Sequence, residues 1–251
     1  MRCQERSFAI AKDACIESRR VDIWVADVHA LADQVQKYAG FLSAEEVGRS
    51  ARFRDPLNRN RYVVRHGMVR AVLSRYAHSD PAQVEIQYGS NGKPHLKKGS
   101  NGSGLQFSTS HSGHLNLVAI GRTAKIGVDI EKISEFPEMR EIADRHFTAA
   151  EIREVDCSPE SRRFEVFFKL WTRKEAVLKA NGRGLTLPLD CVDVSTQCGG
   201  SGAWSVQIRQ GPPEGEFCLT DLKIAPGFAA ALAVASSINQ LTIVYRPHLT
   251  C

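Results

Sequence analysis

The sequence predicts an α+β fold built from two similar halves. Two observations favour this fold class: extended apolar runs surround one long helix in each half, and residues 68–73 resemble residues 173–178. A length of 251 residues suits two small subdomains. We place the boundary near residues 121–125, with an N-terminal subdomain over residues 1–122 and a C-terminal subdomain over residues 123–251.

The N-terminal half is predicted to contain one strand, a long helical stretch and a pair of strands. Apolar and polar side chains alternate over residues 21–26, which indicates a strand. Ser43 begins the helical stretch, because Glu46 follows at the spacing of a capping box. The stretch is expected to turn at Pro56 and to end near Arg75. Polar residues 1–20 form a loosely held arm, residues 82–88 are extended, residues 89–104 are a glycine-rich loop, and residues 105–108 and 115–120 pair as strands.

The C-terminal half is predicted to alternate in the same way. Residues 126–131 form a strand, and Thr148 with Glu151 again shows the capping-box spacing before a helix. The clearest helix covers residues 161–181 and ends at Gly182. Its apolar side consists of Phe164, Phe167, Phe168, Trp171, Val177 and Leu178. Extended runs follow over residues 191–195, 204–208, 217–224, 229–234 and 241–245.

Composition excludes several classes of protein. The hydrophobic fraction is 43% and the charged fraction 24%, which excludes disordered, collagen-like and coiled-coil chains. Seven cysteines without a C-x-x-C pair indicate reduced thiols. Because the chain also has neither the apolar core of a signal peptide nor a stretch of ~20 apolar residues, we expect a cytoplasmic protein without a membrane span. The net charge of +5 suggests anionic partners.

Two carboxylates are expected on one face of the strand at residues 126–131. Asp129 and Glu131 are separated by one residue, so both side chains point to the same side. Two like charges this close are unfavourable unless a cation or hydrogen-bond donors compensate them. The alternative is a solvated acidic edge strand.

A lysine and a third carboxylate share one face of the clearest helix. Glu175 and Lys179 are four residues apart, in the order that favours an ion pair. An ordinary surface ion pair is the alternative interpretation.

A polar motif follows the first predicted strand of the central pair. Residues 108–112 read Ser-Thr-Ser-His-Ser and offer hydroxyls, an imidazole and turn amides, which together suit a phosphate. The alternative is a polar turn.

Arginines are concentrated in the helical stretch of the N-terminal half. Guanidinium groups suit bidentate phosphate contacts, although about half of these residues are expected simply to form a solvated helix face. Gly92, Lys93 and Pro94 add a cation on a rigid turn. The eight arginines are Arg49, Arg52, Arg54, Arg59, Arg61, Arg65, Arg70 and Arg75. Oxygen ligands, arginines and a lysine beside a carboxylate are together the equipment of magnesium-dependent phosphoryl-type transfer.

These motifs resemble those of the 4′-phosphopantetheinyl transferases, in particular the longer, monomeric type that activates peptide and polyketide synthases. Residues 127–132 (GVDIEK) and 168–179 (FKLWTRKEAVLK) are similar to the paired signature of that family. Residues 107–112 resemble its serine–histidine–serine motif, residues 91–94 its G-K-P turn, and residues 41–75 its arginine helix. The resemblance implies two subdomains related by a pseudo-twofold axis, with coenzyme A in the cleft between them.

The resemblance also implies a role for each site residue. Magnesium would be held by Asp129, Glu131 and Glu175 together with the coenzyme pyrophosphate. Ser110 and His111 would contact phosphates, Gly92, Lys93 and Pro94 the adenine side, and Arg49 and Arg61 the 3′-phosphate. Lys179 would bind the coenzyme and stabilise the leaving 3′,5′-ADP, and Glu175 or Glu151 would take the serine proton. The implied catalytic set is therefore Glu175, Lys179, Glu151 and His111. Glu46 departs from the family pattern, because some relatives carry a lysine there.

The implied reaction transfers 4′-phosphopantetheine from coenzyme A to a serine of an apo acyl or peptidyl carrier protein. Its partners would be coenzyme A and an acidic carrier, with no nucleic acid or membrane, and the protein would be a monomer. Two alternatives stay open from the residues themselves. A basic nucleic-acid-binding protein would use the arginine helix, and a magnesium-dependent phosphoesterase would use the same carboxylates.

Overall fold

The structure is a computed structural model that describes residues 20–97, 102, 104–122, 124–182, 187–195, 204–208, 215–235 and 241–246. Residues 1–19 of the predicted arm, part of the glycine-rich loop and the cysteines at positions 3, 15, 198 and 251 lie outside these residues. Cys157, Cys191 and Cys218 are free thiols, as predicted.

The N-terminal half is a sheet covered by one long helix. Ser43 caps α2 through a complete capping box with Glu46, and Asp55 caps α3, which begins at Pro56. The buried side of α3 packs on β4 and β5. The elements are β1 (Arg20–Asp27), α1 (Val35–Ala39), α2 (Ala44–Ser50), α3 (Pro56–Ala77), β2 (Ile86–Tyr88), β3 (Pro94–Leu96), β4 (Leu105–Ser112) and β5 (Leu115–Arg122).

The C-terminal half has the same plan. Thr148 and Glu151 form the second predicted capping box at the start of α5. The strand order β6-β9-β8 matches the order β1-β5-β4 of the first half, so each half is a strand, helices and a hairpin whose second strand pairs with the first strand. The elements are β6 (Ile126–Lys132), α4 (Met139–His146), α5 (Ala149–Asp156), α6 (Arg163–Asn181), β7 (Trp204–Gln207), β8 (Glu216–Asp221), β9 (Phe228–Ala235) and β10 (Thr242–Arg246). The predicted α+β class with two similar halves is confirmed.

The last strand corrects the predicted division of the chain. β10 does not stay with the C-terminal half but pairs in parallel with β1 of the first sheet. Asp22 on β1 is completely buried and accepts hydrogen bonds from Arg246 Nε at 3.0 Å, Arg20 Nε at 2.7 Å and the Tyr76 hydroxyl at 2.7 Å. A buried carboxylate requires such partners, and Arg246 supplies one from the far end of the chain.

Several short elements differ from the predictions. The predicted extended run at residues 82–88 begins with a 3₁₀ turn, Pro81–Gln83, because Asp80 caps it and proline opens it. The run at residues 191–195 also begins with a 3₁₀ turn, Leu189–Cys191. The short elements α1, β3 and α4 were not predicted. None of the helices in the described part of the chain is long and apolar enough to cross a membrane.

One glycine sets the distance between β6 and α6. A Cβ atom on Gly127 would lie 2.0 Å from the carbonyl oxygen of Ala176 and 2.4 Å from the backbone nitrogen of Ala180. Both are backbone atoms of a buried helix, so neither can move aside. The absence of a side chain at Gly127 therefore lets the strand that carries Asp129 lie directly on the helix that carries Glu175 and Lys179.

We expect Gly127→Ala to reduce the free energy of unfolding by about 3 kcal/mol or more, since an added methyl group must push apart two packed backbones. Denaturant unfolding measures this. The matched control is Gly48→Ala in α2, where a Cβ meets nothing within 4 Å and alanine favours the helix, so stability should be equal or higher. Similar effects at both positions would contradict the close approach of β6 and α6.

Candidate active site

Three serine hydroxyls join the two halves of the molecule. β4 lies at one edge of the first sheet and β6 at one edge of the second, and serines on alternate positions of β4 accept hydrogen bonds from alternate backbone N–H groups of β6. The contacts join Val128 N to Ser108 Oγ at 3.1 Å, Ile130 N to Ser110 Oγ at 3.4 Å, and Lys132 N to Ser112 Oγ at 2.9 Å. We call this arrangement the serine seam. It satisfies N–H groups that an edge strand leaves unpaired.

The serine seam also holds the paired carboxylates. The Ser110 hydroxyl donates to Asp129 Oδ1 and the Ser112 hydroxyl donates to Glu131 Oε2, each at 2.7 Å. Asp129 and Glu131 therefore lie on the same face of β6, as predicted. Asp129 is only 3% exposed, so the alternative of a solvated acidic edge is wrong.

Lys179 contacts the strand carboxylate rather than the carboxylate on its own helix. Its ammonium group donates to Asp129 Oδ1 at 2.7 Å and to Ser110 Oγ at 3.1 Å. The side-chain carboxylate of Glu175 forms no hydrogen bond or ion pair with any of the described residues. The alternative of a surface ion pair between Glu175 and Lys179 is therefore wrong, and Lys179 instead bridges α6 to the serine seam.

The acidic groups of the site repel each other. Burial, and then the nearby charges of Asp129 and Glu131, raise the pKa of Glu175, although Lys179 opposes the shift. Burial and the charge of Asp129 likewise raise the pKa of Glu131, against its hydrogen bond with Ser112. The site thus concentrates negative charge that the described residues only partly compensate.

The carboxylate oxygens of this site suit a hard cation that is bound jointly by the protein and a ligand. Asp129 Oδ2 is buried without a hydrogen-bond partner among the described residues. Carboxylate oxygens are the ligands that magnesium prefers, and this ion is usually held by one or two carboxylates together with substrate phosphates. No three acidic, histidine or cysteine side chains in the described ranges converge to hold a metal by themselves. The residues therefore fit an ion that completes its shell with ligand oxygens.

Basic groups lie at the C-terminal end of β4. The surrounding protein and the charges of Arg65, Lys179 and His66 lower the pKa of His111 to about 4, although its ring keeps access to solvent. His111 is therefore neutral at pH 7. Arg61 is half-buried on α3, whereas Arg49 is exposed at the end of α2. An anion placed beside His111 would meet positive charge on the side away from the carboxylates.

The predicted G-K-P turn contacts both β6 and α6. Gly92 adopts a φ of 74°, and Lys93 Nζ donates to the carbonyl of Ile126 at 3.0 Å and to that of Lys179 at 2.5 Å. Burial, together with Lys125, lowers the pKa of Lys93 to about 8. Lys93 thus connects the two halves, and its ammonium group already has two partners. A cavity of 220 Å³ lies beside this turn, with Pro94 and Phe107 in its lining.

Comparison with known proteins covers both halves of the chain. The model of the 4′-phosphopantetheinyl transferase superfamily matches residues 125–233, and that of the 4′-phosphopantetheinyl transferase N-terminal domain matches residues 29–122. The 4′-phosphopantetheinyl transferase HetI of Nostoc sp. is 36% identical over 168 residues, which are 67% of this chain and 71% of HetI. The chain belongs to the 4′-phosphopantetheinyl transferase superfamily. Sfp of Bacillus subtilis, a 4′-phosphopantetheinyl transferase, is 27% identical over 81% of this chain and 86% of its own length.

Family membership decides between the three functions that the sequence leaves open. The predicted enzyme type is confirmed, and the protein is a phosphopantetheinyl transferase rather than a nucleic-acid-binding protein or a phosphoesterase. The two family models match the two halves of the chain one after the other, which agrees with the predicted resemblance to the longer type of transferase.

Glu151 does not belong to the active site of this transferase. It is completely buried, its carboxylate lies 2.8 Å from Lys174 Nζ, and it accepts hydrogen bonds from Val194 N at 2.8 Å and Thr148 N at 2.7 Å. The expectation that Glu151 could act as a base or contact the metal is therefore wrong: its oxygens stabilise the start of α5 and the segment around Val194. The capping-box spacing was the signal for this structural role.

Glu46 also has a structural role in the transferase. Its carboxylate caps Ser43 at 2.8 Å and pairs with Arg70 Nε at 2.5 Å. Although burial opposes it, the hydrogen bonds from His66, Ser43 and Arg70 lower the pKa of Glu46 to about 2. The departure from the family pattern at this position thus places a carboxylate against a buried arginine of α3.

Sequence reasoning missed two contributors to the geometry of the active site. Ser108 and Ser112 were treated as part of a phosphate motif, yet their hydroxyls bind the backbone of β6. Their spacing of four, with Ser110 between them, was the available signal, because alternate residues of a strand share one face. Lys174, next to Glu175, was not assigned, although it is completely buried and holds the carbonyls of Leu189 and Val192.

We expect Glu175→Gln to raise the melting temperature of the transferase at pH 8 in the presence of a chelator. A raised folded-state pKa means that the ionised carboxylate destabilises the fold above that pKa, so the gain should disappear below about pH 4, where the carboxyl group is protonated in both states. For a protein of this size each kcal/mol gained corresponds to about 2–4 °C.

Two further variants complete this thermal comparison. Asp129→Asn should lower the melting temperature, since it removes the partner of Lys179, and Glu165→Gln on the exposed start of α6 should change it little. A lower melting temperature for Glu175→Gln at pH 8 would show that Glu175 is compensated in the folded protein.

Proposed function

We propose that this transferase moves 4′-phosphopantetheine from coenzyme A to a serine of an apo acyl or peptidyl carrier protein, releases 3′,5′-ADP and depends on magnesium. The observation that carries the proposal is a cluster on one side of the serine seam: the cationic Lys179 lies beside Asp129, whose buried Oδ2 has no hydrogen-bond partner among the described residues, and near Glu175, whose carboxylate is unpaired within the same ranges. Such a site gains most from a ligand that brings phosphate oxygens and a divalent cation together.

Three carboxylates would hold the cation. Asp129, Glu131 and Glu175 would supply oxygens, and pyrophosphate oxygens of coenzyme A would complete the shell. A bound magnesium ion supplies neutralisation of the negative charge that develops on the transferring phosphoryl group. Burial, and then the charges of neighbouring carboxylates, raise the pKa values of Glu131 and Glu175, and a cation at this position would favour their ionised forms.

The rest of coenzyme A would lie along the cleft. The neutral His111 would donate a hydrogen bond to a phosphate oxygen, and Arg49 and Arg61 would contact the 3′-phosphate. The only proton of the Ser110 hydroxyl is donated to Asp129, so Ser110 would act on the phosphates by orienting Asp129 and Lys179 rather than by donating to them. The cavity beside Gly92, Lys93 and Pro94 would receive the adenine side. Since Lys93 already holds two carbonyl groups, we assign it the support of this cavity rather than a charge contact with the ligand.

Two side chains of α6 would contact the reacting groups, one as a base for the attacking serine and one as a donor to the leaving group. Glu175 has no competing hydrogen bond among the described residues and a raised pKa, which suit a general base that accepts the proton of the attacking serine hydroxyl. Lys179 would donate to the oxygen that becomes the terminal phosphate of 3′,5′-ADP as the bond to phosphorus breaks. Its contacts with Asp129 and Ser110 hold the ammonium group in place before the reaction.

An acidic carrier protein would be the partner. Eight of the 18 lysines and arginines of residues 1–122 lie in the α2–α3 region, and Arg52, Arg54 and Arg59 are exposed there. Charges at the edge of an interface mainly increase the association rate of oppositely charged proteins. The basic surface would therefore guide the carrier serine toward Glu175.

Intact-mass analysis tests the proposed reaction. An apo carrier protein incubated with coenzyme A, magnesium and the transferase should gain the mass of one phosphopantetheine group, and a carrier with its acceptor serine changed to alanine should gain none. Glu175→Gln and Lys179→Ala should each reduce the rate by at least about a hundredfold, whereas Glu165→Gln should not. An unchanged carrier mass across acyl and peptidyl carriers would reject the proposal.

The pH dependence of metal binding tests the assignment of the carboxylates. Because protons compete with the cation for groups of raised pKa, the affinity for magnesium in the presence of coenzyme A should fall as the pH is lowered from 8 toward the raised pKa values of Glu131 and Glu175, with proton release on binding in that range. Titration calorimetry in buffers of different ionisation enthalpy measures both. Glu175→Gln should weaken the binding of magnesium and reduce the proton release. An affinity for magnesium that is independent of pH would contradict this ligand set.

A further inference from the structure

Two neighbouring arginines on α3 lack the carboxylate partners that other buried arginines of this protein have. Arg61 and Arg65 are one helical turn apart and both are half-buried. Arg70, on the next turn of the same helix, pairs with Glu46, and Arg173 on α6 pairs with Asp221. Among the described residues, no carboxylate forms an ion pair with Arg61 or Arg65.

The contacts of the two guanidinium groups leave part of each unused. Arg61 Nη2 lies 3.2 Å from His29 Nε2, and Arg65 Nη2 donates to the carbonyl of Gly113 at 3.0 Å. The Nε atoms of both arginines are buried without a hydrogen-bond partner among the described residues. Burying charged donors without acceptors is unfavourable, so this pair is built for an anion from outside the chain.

Basic groups are concentrated around the two arginines. Burial and the charge of Arg61 lower the pKa of Arg65, and Arg65 in turn helps to lower the pKa of His111. Asp27 lies near this cluster: its carboxylate is 4.0 Å from His114 and caps the backbone of His29 at 2.8 Å. Among the described residues, Asp27 forms no ion pair with Arg61 or Arg65, so both guanidinium groups can bind an anionic ligand.

We propose that Arg65 is a further 3′-phosphate-binding residue of this transferase besides Arg49 and Arg61, and that it forms a two-guanidinium site together with its neighbour Arg61. The proposal rests on the proposed use of coenzyme A. Of the three phosphates of that molecule, two form the pyrophosphate, which would be held near Asp129 and Lys179 together with the cation. The 3′-phosphate is a dianion without a metal, and two guanidinium groups match its charge and its bidentate geometry.

Nucleotide binding by three variants tests this role. Titration calorimetry with adenosine 3′,5′-bisphosphate and with adenosine 5′-monophosphate should show that Arg65→Gln weakens binding of the bisphosphate about ten- to a hundredfold and binding of the monophosphate little. Arg61→Ala should behave in the same way. Arg59→Ala, which removes an exposed charge from the same helix, should change neither affinity beyond about twofold.

Arg65→Gln separates ligand binding from a structural role. Glutamine can still donate to the carbonyl of Gly113 but carries no charge, so the melting temperature without ligand should stay equal or rise as the repulsion with Arg61 is removed. A lower melting temperature with equal losses for both nucleotides would show that Arg65 only supports the turn at Gly113, and would overturn the proposal. Unchanged binding of both nucleotides would overturn it as well.

Transfer kinetics distinguish this proposal from the proposed function. The wild-type enzyme should use coenzyme A with a lower KM than dephospho-coenzyme A, which lacks the 3′-phosphate, and Arg65→Gln should remove most of that preference with little change in kcat. If transfer from coenzyme A occurs and the preference is the same in Arg65→Gln, only the role of Arg65 is rejected. If no carrier is modified from either donor, the proposed function itself is rejected, and the role of Arg65 that rests on it is rejected with it.

Discussion

The active site depends on the serine seam, in which three hydroxyls replace the backbone pairing that would otherwise join two edge strands. Ser108, Ser110 and Ser112 accept from alternate N–H groups of β6, and the last two also donate to Asp129 and Glu131. Each of these two hydroxyls therefore fixes both the backbone and the carboxylate beside it. A direct backbone ladder would join the halves as well, but it would leave no side-chain donors between the strands to orient the carboxylates.

The close approach of β6 and α6 at Gly127 completes this arrangement and explains its energetic imbalance. The strand brings two carboxylates, and the helix adds Glu175 on the same side as Lys179. Burial first, and then the mutual repulsion of the carboxylates, which the one ammonium group of Lys179 only partly offsets, raise the pKa values of Glu131 and Glu175. The rest of the fold stabilises this cluster: Lys93 holds the carbonyls of both β6 and α6, and the buried pair of Glu151 and Lys174 fixes the other side of α6. The fold therefore holds the carboxylates close together despite their repulsion, and a ligand that brings a cation would reduce this repulsion.

Sequence reasoning predicted those parts of the fold that depend on local periodicity and spacing. Alternation placed β1, β4, β5 and β6, and two capping boxes correctly marked the starts of α2 and α5. The same reasoning failed where neighbouring residues face different environments. Lys174 and Glu175 are adjacent, yet one is buried against loop carbonyls and the other faces the cleft, and only the rotation of α6 against Gly127 decides which. The pairing of β10 with β1 had no local signal, since it joins residues more than two hundred positions apart.

The repeated topology distributes charge unequally between the two halves. Each half is a strand, helices and a hairpin, but the first contributes Arg61, Arg65 and His111 to the cleft while the second contributes the three carboxylates and Lys179. Opposite charges within one half pair with each other, as Arg70 does with Glu46 and Lys179 with Asp129, which leaves less of their charge for a ligand. Placing them on different halves, with neutral hydroxyls between them, keeps both sets apart. A ligand with a metal-binding phosphate pair at one end and a single phosphate at the other would then connect the two halves through its own length.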